Sequence, residues 1–147
     1  MDRRYMLASA GAVVLAGAAA RGAFGQEVGA VSKPTALLDK MHQDCLDICQ
    51  RCEATCNVTL HYCMTHLANG HKEHAACAAL AMSCQDFCGL SAKIIARSCT
   101  LTSAACEACA KACEACATEC EKMKSDEQMA ACAKQCRECA ASCRKMI

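Results

Sequence analysis

Cys45, Cys49, Cys52, Cys56 and Cys63 follow one another at steps of four, three, four and seven residues. Cys106, Cys109, Cys113, Cys116 and Cys120 continue the pattern, and so do Cys132, Cys136, Cys139 and Cys143. Cys77, Cys84, Cys88 and Cys99 complete eighteen cysteines in a chain of 147 residues. Such steps keep side chains on one face of an α-helix, so the sequence predicts rows of thiols lining the inside of a helical bundle. Thiolate is a soft ligand, and rows of it suit many soft metal ions.

Other uses of cysteine fit less well. As a plain apolar core the thiols are too small. Residues 102–146 contain no Val, Ile, Leu, Phe, Tyr or Trp, and little buried apolar surface would offset the entropy of ordering them. A disulfide framework is compatible with an even count. Within a helix, however, neighbours at three or four residues hold their Cβ atoms about 5–6 Å apart, against about 3.5–4.5 Å for a relaxed disulfide. Zinc or other heavy-metal sites usually place Cys-x2-Cys pairs on turns. Here such pairs merge with Cys-x3-Cys pairs into continuous rows, and the ferredoxin spacings are absent. Cu(I) accepts two or three thiolates, so neighbouring ions can share sulfurs. Seven Cys-x3-Cys pairs supply two-sulfur sites: 45–49, 52–56, 84–88, 109–113, 116–120, 132–136 and 139–143. Charge separates the metals further. One Cu(I) per thiolate leaves no net charge in the core, whereas four-sulfur Zn(II) sites would leave roughly half the negative charge uncancelled, which is costly in a low dielectric. Zinc or heavy-metal sequestration, and a metal-free disulfide-bonded structural protein, remain the competing readings.

The elements that must position these thiols are four helices. Pro34 suits the start of the first, whose inner line runs through Leu38, Met41, the five cysteines, Thr59 and His66 to a break at Asn69-Gly70. A second helix is expected from about Lys72 to Arg97, with His74, Cys77, Ala81, Cys84, Cys88, Ser91 and Ile95 inside, and Gly89 placed for a close backbone approach. Ser98, Thr100, Thr102 and Ser103 are candidate caps for a third, reaching about Lys122. Ser125 or Asp126 caps a fourth, ending near Lys145. Short connections predict an all-α, antiparallel four-helix bundle with a cysteine-lined core.

Residues 1–25 read as a signal peptide. Arg3-Arg4 precede a weakly apolar run, and Ala23-Phe24-Gly25 offers small residues for cleavage. Paired arginines suggest the twin-arginine route, which carries folded proteins to a bacterial periplasm. Residues 26–147 then form one domain. Setting aside Asp2, Arg3, Arg4 and Arg21 leaves 13 basic and 14 acidic residues, a formal charge of −1. Nothing there points to nucleic acid or to a membrane span. No acid/base constellation stands apart from the eighteen thiols, so an enzyme is not expected. Glu107, Glu114 and Glu121, seven apart, read as a solvated stripe.

The runs Cys106-Glu-Ala-Cys109-Ala-Lys-Ala-Cys113-Glu-Ala-Cys116 and Cys132-Ala-Lys-Gln-Cys136-Arg-Glu-Cys139 resemble those of the bacterial copper storage proteins. The likeness covers essentially all of residues 26–147. It implies a four-helix bundle, commonly a homo-tetramer, whose core cysteines bind many Cu(I) ions; the sequence does not name a copper-delivery partner. The leader resembles that of the exported members, a group associated with supplying copper to methane oxidation in methanotrophs. Eighteen thiols exceed what that group is expected to carry. Antiparallel topology gathers His66, His74, Met123 and Met129 at one end, with Met64 beside them and His61 and His71 close by. Imidazole and thioether hold Cu(I) less tightly than thiolate, so this end is expected to admit copper. Leu38 and Ile95 would plug the other, which also holds Met41, His42 and Met146.

Overall fold

The computed structural model describes residues 38–147. The proposed leader, its cleavage site and Pro34 lie outside them. Helix α1 spans Lys40–Ala68, α2 Ala75–Ala96, α3 Thr102–Cys120 and α4 Glu127–Arg144. Single 3-10 turns, Lys72–His74 and Glu121–Met123, lead into α2 and out of α3.

Local chemistry sets the boundaries. The Asp39 side chain accepts from the His42 amide at 2.9 Å, so an acidic cap begins the described helix. Gly70 ends α1's connection with φ +91°, a conformation that glycine adopts without a Cβ clash. None of the four proposed hydroxyls caps α3. Leu101 occupies the cap position without a side-chain bond, while Ser98 takes the left-handed conformation, φ 49°. Thr102 Oγ1 instead donates to Cys99 O at 2.7 Å and closes that turn. Asp126 caps α4 by accepting from the Met129 amide at 3.1 Å.

Each helix packs on its two chain neighbours, and α4 closes the ring against α1. Diagonal helices have no Cα atoms within 8 Å of each other; they meet through sulfur. Seventeen cysteines are fully buried, the exception being Cys99. Alanines 78, 81, 92, 110, 117, 133 and 140 pack beside them. Ile95 and Met129 are the two fully buried hydrophobic side chains larger than cysteine among the described residues. Gly89 is buried where α2 passes α1, and a Cβ there would stand 2.5 Å from Glu53 Oε1. Glycine therefore makes room for a side chain of α1.

Three expectations change. Met41 is 46% exposed, because the first turn of α1 extends past the thiol rows. The glutamate stripe is not simply solvated. Arg137 of α4 clamps Glu121 with bonds of 2.9 and 2.8 Å, and Arg144 pairs with Glu114, so two of the three glutamates pair with arginines of α4. The third concerns membranes. The segment Lys72–Ala96 is long and apolar enough, by length and composition, to cross one. Its apolar residues are divided between the alanine and cysteine face turned into the bundle and an outer side that carries Met82, Phe87 and Leu90.

Candidate metal centre

Helical period and small alanine neighbours bring the thiols of all four helices to one axis. Cys52 of α1 lies 3.9 Å from Cys113 of α3 and 3.9 Å from Cys136 of α4. Cys84 of α2 lies 3.6 Å from Cys113 and 3.9 Å from Cys136. Cys88 stands 3.6 Å from both Cys109 and Cys113 and 3.9 Å from Cys139. Toward one end Cys143 approaches Cys49 at 3.6 Å and Cys45 at 4.0 Å. Toward the other, Cys56 meets Cys136 at 3.6 Å and Cys77 meets Cys120 at 3.9 Å.

These separations are far above the roughly 2.05 Å of a disulfide bond, and all eighteen cysteines are free. They equal the sulfur–sulfur spacing across one metal ion: metal–thiolate bonds of about 2.3 Å put trigonal ligands roughly 4 Å apart. Four-sulfur groups with all their sulfurs within 4.8 Å of one another include Cys52/Cys84/Cys88/Cys113, Cys88/Cys109/Cys113/Cys139 and Cys56/Cys116/Cys132/Cys136. The groups overlap. Cys88 and Cys113 belong to two, as do Cys56 and Cys136. Separate tetrahedral sites cannot occupy overlapping groups at once, whereas an array of shared sulfurs can.

Protonation follows the same crowding. Burial pushes Cys63 up to about 11, and negative charge on Cys77 and Cys132 adds to it. Burial also raises Cys77. Deeper in, thiols divide their protons. Hydrogen bonds from Cys113 and Cys116 lower Cys136 to about 7, while bonds with Cys109 and Cys136 hold Cys113 well above an ordinary thiol. Protons are thus shared unequally among the core thiols, and cations entering the core displace those that remain.

The end formed by the C-terminus of α1 and the starts of α2 and α4 gathers different ligands. His74 is buried, Met129 fully so, and His66 and Met123 are half-buried. His66 and His74 stack with ring centres 4.5 Å apart. Met64 does not join them; it is 56% exposed, because its position on α1 turns away from the mouth. His61 is exposed as well. At the far end Ile95 is fully buried and Leu38 and Met146 pack against the core. Half-buried Cys99 shares a cavity of about 200 Å³ with His42 and Leu38. The sequence reading did not find the link from Tyr62 Oη to Asp126 Oδ2, 2.8 Å, or from Gln128 to Thr59, 2.9 Å. Both tie α4 to α1 beside the imidazoles, and no periodicity announces them.

A four-helix bundle whose interior is a continuous column of free thiols defines a protein built to hold metal in its core. The copper storage protein family model matches residues 38–147, and the chain belongs to that family. Among solved structures it is similar to a Cu(I)-bound copper storage protein, BsCsp3, at 32% identity and a TM-score of 0.65, covering 73% of this chain and 98% of that one. The apo form of copper storage protein 3 from Bacillus subtilis matches at 35% identity and a TM-score of 0.62, over 71% and 96%. A protein from Nitrosospira multiformis matches at 33% identity and a TM-score of 0.63, over 74% and 96%. Among curated proteins nothing matches.

Proposed function

We propose that this member of the copper storage family holds Cu(I) in bulk, on the order of one ion per cysteine, without catalysing a reaction. The overlap of the four-sulfur groups carries this reading, because it favours ions bridged by shared thiolates over four or five isolated ions. Neutrality supports it too, since one Cu(I) for each thiolate leaves no net charge in a core closed to water. The Cu(I)-bound relative supports the choice of metal. The ligands are the eighteen cysteines, with Cys99 at the less buried end. His66, Met123 and Met129 pass copper through the mouth, and exposed Met64 serves only as an outer contact.

Export through the twin-arginine route to the periplasm is supported by Arg3-Arg4 and the run that follows, with residues 26–147 as the functional domain. Assembly as a homo-tetramer is supported by Met82, Phe87 and Leu90, exposed by 51%, 39% and 50% on the outer side of α2. Anaerobic Cu(I) titration of the reduced protein tests the central claim. An endpoint near the cysteine count agrees with it; saturation at four or five ions overturns it.

A further inference from the structure

The three histidines that close the mouth are arranged for a harder metal than the thiols beneath them. Ring centres of His66, His71 and His74 stand 4.5, 5.4 and 6.5 Å apart in pairs. Metal–nitrogen bonds of about 2.0–2.1 Å place imidazoles that share one tetrahedral ion roughly 5 Å apart, centre to centre. His74 is only 5% exposed, and its Nδ1 has no hydrogen-bond partner. Such an atom is rare in a native interior and marks a site awaiting a partner. Nδ1 of His71 faces Glu73 Oε1 at 3.2 Å. A carboxylate on one ring nitrogen fixes the proton there and leaves the other as the ligand atom, the usual arrangement behind a metal-bound histidine. His66 is stacked on His74 with the ring planes 24° apart, and its terminal torsion is broad, so a shared ion requires the half-buried His66 ring to turn out of that stack.

The surroundings select the class of ion. Asp126 and Tyr62 add oxygen beside the rings, the Tyr62 ring lying 4.3 Å from His66 and 5.8 Å from His74. Imidazole with oxygen suits Zn(II) and Cu(II), whereas thiolate and thioether select Cu(I). We propose that His66, His71 and His74 form a binding site for one divalent, imidazole-seeking cation, Zn(II) or Cu(II), separate from the thiol core. An ion held there occupies the mouth and slows copper exchange through it. That consequence rests on the portal reading; the site itself does not.

Protein saturated with Cu(I), so that every thiolate is occupied, is titrated with Zn(II) by calorimetry. A parallel sample receives Cu(II) and is read by electron paramagnetic resonance. One Zn(II) per chain is expected. His71→Ala and Glu73→Gln, both at exposed positions, should weaken it by about 10- to 100-fold, the usual effect of disturbing a ligand histidine or the carboxylate that orients it. The Cu(I) endpoint should stay unchanged in both, which reports on storage independently. Nitrogen couplings in the Cu(II) spectrum extend the site to Cu(II); Zn(II) binding without them assigns it to zinc, and both support the site. Failure of the saturated protein to bind Zn(II), or equal affinity in His71→Ala, overturns it.

Discussion

Replacing Cys52, Cys84 and Cys113 together with alanine separates shared sulfurs from isolated sites. All three belong to one four-sulfur group with Cys88, and Cys113 lies 3.9 Å from Cys52 and 3.6 Å from Cys84. If each thiolate balances one Cu(I), three lost thiolates remove about three ions, roughly one sixth of the capacity. If the group is a self-contained tetrahedral site, the same change removes one ion of about four. Alanine is the best helix former and adds no buried polar atom, so helicity by circular dichroism should hold and serves as the control. The assay is anaerobic competition with a chromophoric Cu(I) chelator, compared with the parent protein on the same day. A loss of one ion, or an unaltered endpoint, would refute the shared array.

Loaded protein should melt well above metal-free protein, because an ion that binds only the folded state at 100 times its dissociation constant adds about 2.7 kcal/mol per site. Coincident midpoints by scanning calorimetry would show that Ile95, Met129 and the alanines suffice alone. Stability of the metal-free bundle should depend on alkali. Cys63 rises from 9.0 to about 11 on folding, so its contribution is complete below pH 9 and disappears as pH climbs through 11. Urea midpoints across that window test this, and a flat profile would contradict the burial argument. His66, Met123 and Met129 replaced together with leucine should slow loading and chelator-driven removal severalfold with an unchanged endpoint. Stopped-flow rates equal to the parent's would place the portal elsewhere.

The helical period alone located the thiol rows, and with them Ala81, Ser91 and Ile95, because one buried face repeats for as long as a helix packs on its neighbours. The same extrapolation failed at helix ends. Met41 and Met64 fall where α1 outruns its neighbours or turns away, and Cys99 sits on the turn that Ser98 makes. No capping hydroxyl was found for α3, since Thr102 bonds backward to Cys99 rather than forward into the helix. The pairing of Arg137 and Arg144 with Glu121 and Glu114 was invisible because it joins two helices whose relative rotation no local pattern encodes. The imidazole trio was half legible. His66 and His74 lie on inner lines, whereas His71 is on a connection and is brought in by the Gly70 turn.

The overlapping sulfur groups make the column a road with one lane. Copper moves along it by exchanging one thiolate for the next, each step about 4 Å long, so traffic depends on unbroken connection rather than on how many parking places exist. The triple alanine variant therefore interrupts more than it removes. Copper on the mouth's side, around Cys56, Cys116 and Cys132, would still drain quickly. Copper beyond the gap, around Cys49, Cys139 and Cys143, would be stranded, and release would split into a fast and a slow phase.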